Sequence, residues 1–281
     1  MPIYEQTYRR YEAREPLRAV RFWPITREAL RIILARRAFL GLLAIAWLPF
    51  VIRVGQIYVF TRFPEAGRIL PVDGRLFGVF LNQQILFTLL LSIFGGAGLI
   101  ANDLRTGAIL VYLSRPLTRR DYVLGKLGVL LGLNLSVTLV PDLLLYAIAI
   151  ALAPEQFLKW SLAWIGPAIL LHSIEMTLFV SLLALAISSL SRSARVAGLG
   201  FFGLVFGLEL VQGILAQGFS LRPVALLSPW ADFRALCAAL FGLAERGPTL
   251  PWPWPAAVLL VVGLLCLVIL RSRVRAVEIV R

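Results

Sequence analysis

The chain has 281 residues, 59% of them hydrophobic and 15% charged, with a mean hydropathy of +0.85. Soluble domains carry about a quarter of their residues as charged ones, so the composition excludes a soluble globule and predicts an all-α, polytopic membrane protein. The formal charge of +13, from 28 Lys and Arg against 15 Asp and Glu, then speaks of membrane orientation and not of nucleic acid, because basic residues flanking apolar runs set topology.

Met1 to Arg21 is polar and rich in arginine (Arg9, Arg10, Arg14, Arg18, Arg21), which predicts a cytoplasmic arm. It is far longer than the basic head of a signal peptide, so no cleavage is expected. A helix is predicted from Trp23 to Arg37, with Pro24 in its first turn. Arg27, Glu28 and Arg31 cluster opposite Ile25, Ala29, Ile32 and Ile33, the pattern of an amphipathic helix in the membrane interface. Residues 1–37 therefore form arm and interfacial helix, and residues 38–281 a six-helix transmembrane domain.

The six spans are placed where about twenty apolar residues can cross a hydrocarbon core of about 30 Å. They run from Ala38 to Phe60, Val79 to Ala101, Val123 to Leu152, Trp164 to Leu190, Arg195 to Gln217 and Ala256 to Leu270. Pro141 is expected to loosen the third span. Twenty basic residues fall on the side of the N-terminal arm and seven on the other, which predicts both termini in the cytoplasm and a multi-pass protein of the cytoplasmic membrane. On the outside, Ser228-Pro229 followed by Phe233, Leu236, Cys237, Leu240 and Phe241 predicts an extracellular helix before the last span. That helix serves as a gate or packs on the outer ends of the spans.

The sequence carries no phosphate loop of the GxxxxGK[ST] type, no GxSxG, a single histidine, and only two cysteines, Cys237 and Cys266, without metal-ligand spacing. Catalysis by this chain, a bound metal and a bound cofactor are not expected. Five ionisable residues lie inside predicted spans: Arg53, Asp142, His172, Glu175 and Glu209. Each is costly in hydrocarbon and so must face protein or a watery path. In a structural reading Arg53 pairs with an acid and His172 bonds Glu175. In a functional one Asp142, His172, Glu175 and Glu209 line a translocation path, Glu209 foremost because Gly203, Gly207 and Gly213 share its span.

The polar stretch from Ile100 to Lys126 interrupts this hydrocarbon-loving chain. Leu104, Ala108 and Val111 follow at helical spacing after Asp103, taken as a cap; Pro116 stops that helix, and Thr118 with Asp121 has capping-box spacing for the next. The order Asp103, Gly107, Leu110, Leu113, Ser114-Arg115-Pro116, Arg119, Tyr122, Gly125-Lys126 resembles the loop after the second span in permease subunits of type-2 ATP-binding-cassette exporters. The likeness extends to the interfacial helix, the six spans and the Ser228 to Trp230 segment.

That resemblance implies a coupling helix docked on a separate P-loop ATPase subunit. Asp103, Leu104, Gly107, Leu110 and Leu113 would form the docking surface with Pro116, and Arg115 and Arg119 would make polar contacts. It also implies a second permease chain, identical or related, and ATP with Mg on the partner only. Two other classes stay open: a stand-alone intramembrane enzyme or proton-linked carrier using the buried acids, and a membrane scaffold protein.

Overall fold

The computed structural model describes residues 22–63, 73–108, 117–152, 163–218, 222–243 and 250–273. The arm before residue 22 and the expected docking residues Leu110, Leu113, Arg115 and Pro116 lie outside them. All regular structure in the described residues is helical: α1 (Trp23–Leu34), α2 (Arg37–Ala46), α3 (Leu48–Arg62), α4 (Gly74–Thr106), α5 (Arg119–Leu135), α6 (Leu139–Leu152), α7 (Ile165–Leu190), α8 (Ala194–Gly218), a 3-10 turn (Arg222–Leu227), α9 (Pro229–Phe241) and α10 (Pro253–Arg273). Six spans are long and apolar enough to cross a membrane: α2 with α3, α4, α5 with α6, α7, α8 and α10.

Two spans are broken, each next to a proline. In the first, Pro49 stands in the first turn of α3 and offers no N–H to the preceding turn. Gln84 of α4 reaches into that gap and donates Nε2 to the Ala46 carbonyl at 3.0 Å. In the third, α5 ends at Leu135 and α6 starts at Leu139. Pro141 leaves the carbonyl of Val137 without its helical donor, while the Thr138 hydroxyl turns back onto the Asn134 carbonyl at 3.0 Å.

The second span is longer than its apolar run. Asp73 caps it by accepting from the Arg75 amide at 3.0 Å, and it continues through Asp103 to Thr106, where Gly107 takes the left-handed conformation (φ 71°) that ends helices. Asp103 is thus no cap of a new helix, as its position in sequence suggested. It sits in the last turn of α4, because nothing between Ile100 and Thr106 breaks helical continuity.

Spans two and four form the centre. In the most apolar 18-residue stretch of each span, buried residues make up 67% in the second and 72% in the fourth, against 11% in the first and fifth, so the outer spans present most of their surface to surroundings other than this chain. The central pair is tied by Ser188 of α7, which donates to the Ala97 carbonyl at 2.7 Å and accepts from the amides of Ile100 and Ala101 at 3.1 and 3.0 Å. Asn134 of α5 adds a third span, donating to Ser92 at 2.9 Å and Ser181 at 3.3 Å.

At one end of the bundle lie α1, the end of α4, the start of α5, the turn from α7 to α8 and the end of α10; this is the basic end. At the far end α9 packs into the helices, with Ser228 as its cap and Gly242 (φ 62°) as its stop. Phe233, Leu236, Cys237 and Phe241 are buried as their spacing suggested. Gly78 makes that contact possible, since a Cβ there would stand 2.7 Å from Phe241 Cβ.

Candidate coupling and translocation site

At the basic end the chain leaves α4 at Gly107 and returns at Thr118. The return is fixed by a capping box: Thr118 Oγ1 accepts from the Asp121 amide at 3.2 Å, and Asp121 Oδ2 accepts from the Thr118 amide at 2.9 Å. Between the two helix ends stands an ionic clamp. Asp103 Oδ2 lies 2.8 Å from Lys126 Nζ and accepts the Tyr122 hydroxyl at 2.8 Å. Tyr122 and Lys126 are one turn apart on α5, so one carboxylate gathers both. Because Lys126 is almost fully buried, removing its carboxylate partner would strand a charge away from water, so the pair is costly to break.

The interfacial helix docks on the same turn of α5. Thr26 Oγ1 donates to the Gly125 carbonyl at 2.8 Å, and a Cβ at Gly125 would stand 2.9 Å from Ile25 Cβ and 3.1 Å from the Phe22 carbonyl oxygen. Gly125 therefore lets two backbones touch, while Lys126 beside it turns to Asp103. Neither is placed as a phosphate loop would be, since both lie inside α5 and are spent on packing and on the clamp.

Of the expected docking residues in the described part, Arg119 is exposed at the start of α5 and Gly107 is half-buried. Leu104 packs partly against the main core. Ile25 and Ile33 of α1 are buried, but Ile32 is exposed.

The polar residues of the spans divide into two groups. Glu209 of α8 accepts from the Ser228 hydroxyl and from Arg234 Nη2, the latter at 2.7 Å; it binds span five to the cap and first turn of α9. Among the described residues Arg53 has no acidic partner. Its Nη1 donates to Gln56 Oε1 at 2.7 Å, one turn along the same helix, while its buried Nε has no partner among the described residues.

The second group lies under α9. His172 Nδ1 is 3.2 Å from Glu175 Oε2, as the spacing of three residues suggested. Asp142 and His172 are wholly buried; both Asp142 oxygens and His172 Nε2 lack a partner among the described residues. A residue the sequence reading missed, Asp232 of α9, joins them. Burial, and next the negative charge of Glu175, push its carboxyl up to about 7. Burial, then Asp142 and then Glu175, likewise raise the Cys237 thiol well above its ordinary range. Asp232 was readable in principle: it stands four residues before Leu236 on the apolar face of a capped helix. Among the described residues no group of His, Cys, Asp and Glu has the arrangement of a metal site.

A comparison with known families matches residues 25–275 to the family described as ABC-2 family transporter protein. A search of the curated proteins finds no match. The match covers the interfacial helix, all six spans and the polar loop between the second and third. The chain is a multi-pass membrane protein that belongs to the ABC-2 family of transporters, as a transport component of the membrane.

Proposed function

We propose that this chain is the permease subunit of an exporter in the cytoplasmic membrane, driven by ATP and Mg bound on a separate P-loop ATPase, with a second permease chain completing the assembly. The basic end faces the cytoplasm and both termini lie there; α9 lies outside. The loop from Asp103 to Arg119, with Leu104, Gly107, Leu110, Leu113, Arg115 and Pro116, docks on the ATPase. The observation that carries this reading is the clamp of Asp103 with Tyr122 and Lys126. It joins the ends of spans two and three where α1 also docks, so a push on the loop reaches three elements together. A switch needs contacts that differ between two states, and this neck is where the loop delivers them.

Asp142, His172 and Glu175 are the polar residues of the path, and Glu209 holds its outer rim through α9. The test is assembly. Gly107→Arg and Leu110→Arg are expected to abolish co-purification with the proposed ATPase partner while leaving the permease folded. Normal co-purification of both variants would refute the docking assignment, and full transport by the chain purified alone would sink the permease reading.

The unpartnered Asp142 favours one other reading, a proton-linked carrier. Uptake or efflux in vesicles driven by a pH gradient alone, lost in Asp142→Asn, is the outcome that would favour it.

A further inference from the structure

At the basic end, α1, α4 and α8 enclose a laterally open cavity of about 800 Å³, within the size range of small-molecule sites. Its walls are apolar: Ile32 from α1, Leu90, Ile93 and Phe94 from α4, Leu199 and Phe202 from α8. Gly98 and Gly198 leave room where α4 and α8 approach. The end of the cavity is different. Arg36, from the joint between α1 and α2, and Arg195, from the first turn of α8, meet there with Asn102 and the Lys126–Asp103 pair.

The charges do not cancel. Three cations face one carboxylate, and that carboxylate already holds Lys126 at 2.8 Å. Neither Arg36 nor Arg195 has an acidic partner among the described residues, although they come from different elements and line one space. The dimensions follow from the helix: Leu90 to Asn102 is twelve residues, about 18 Å at about 1.5 Å per residue. One leaflet of a bilayer has about 15 Å of hydrocarbon, so an apolar wall of that length with cations at its end matches the acyl part and the headgroup of one lipid. A free anion would use the arginines and leave the wall idle. A helix from a second copy would cover the wall and bury the arginines without counter-charge.

We propose that this cavity binds an amphiphile with an acidic headgroup, drawn sideways from the leaflet at the basic end. Arg36 and Arg195 hold the headgroup, Asn102 donates to it, and the α4 and α8 side chains hold the acyl chain. The site rests on the permease reading only in this: as part of a permease, it names the class of cargo.

The test is photolabelling of the full chain in lipid nanodiscs with a photoactivatable phosphatidylglycerol. Labelling is expected on the α4 and α8 wall, competed by unlabelled phosphatidylglycerol and not by phosphatidylcholine. In Arg36→Gln/Arg195→Gln the preference for the acidic lipid should fall about ten-fold or more, the loss of two charge-assisted contacts, with the weak phosphatidylcholine labelling unchanged as the control for folding. Equal competition by phosphatidylcholine, full labelling of the double variant, competition by inorganic phosphate alone, or occupation of the wall by a second copy in cross-linking would each overturn the proposal. No nucleotide or ATPase is needed, so failure here leaves the permease reading standing, and failure of the co-purification test leaves this site standing.

Discussion

Asp232 shows how a single side chain sets the conditions under which the far end is stable. Its carboxyl titrates near 7 in the fold against an ordinary 3.8. Between those values the folded state holds a proton that the unfolded chain releases, so stability falls as pH rises through that window and levels off above it. The groups around it are Glu175 and His172 on α7, Asp142 on α6, Glu209 on α8 and Arg234 and Cys237 on its own helix. Thermal unfolding of Asp232→Asn is expected to decline less between pH 5 and pH 8 than that of the parent; an unchanged slope would refute the assignment. The clamp at the other end makes a different prediction. Asp103→Asn leaves Lys126 buried without its carboxylate and should cost about 3 kcal/mol. The paired change Asp103→Leu/Lys126→Met should cost clearly less, because no charge is then stranded. Denaturant or thermal unfolding of the two variants separates a buried pair from a decorative one.

Among the elements, α1 depends on one missing methyl group. Gly125→Ala sets a Cβ against Ile25 Cβ and the Phe22 carbonyl oxygen, 2.9 and 3.1 Å away. Displacing the interfacial helix to relieve that overlap should destabilise by about 1–3 kcal/mol and expose α1 to protease, while the six spans persist. The capping box at Thr118 and the cap at Ser228 could be read directly from spacing, because a side chain that caps its own helix needs no knowledge of the rest of the fold. The same holds for the pairing of His172 with Glu175. What was not legible depended on neighbours distant in sequence. Asp103 looked like a cap because aspartate often is one, yet its partners Tyr122 and Lys126 lie on the next helix. Arg53 looked destined for an acid, yet Gln56 was nearer. Asp232 lies outside the spans, where a carboxylate by itself gives no sign of burial, and only the packing of α9 brings it to Glu175. The broken first span is another case: Pro49 announces a gap, but only the fold brings Gln84 to fill it.

For the whole molecule, the uneven burial of the spans is the informative quantity. Composition and hydropathy place six apolar helices, since each must satisfy its own backbone in lipid. They say nothing of which helices are central. With 11% burial in the apolar stretches of spans one and five, and with nothing within 4 Å of a Cβ added at Gly203 or Gly207 of span five, those two spans offer the surface on which the second permease chain of the proposed assembly would pair. Gly207→Trp is expected to weaken the pairing of two permease chains, read as a shift toward single copies in native mass spectrometry, without lowering the stability of each chain. Persistence of the pair would place the contact on another span.

Ser188 gives the molecule a fixed axle. Its hydroxyl serves one carbonyl and two amides of the neighbouring helix at once, so sliding or rolling spans two and four past each other would break three hydrogen bonds together and leave the buried hydroxyl without a partner. In the proposed transport cycle this pair is expected to move as one post while the lightly buried spans swing around it. Hydrogen exchange at Ile100 and Ala101 should therefore be among the slowest in the chain in every state of the cycle.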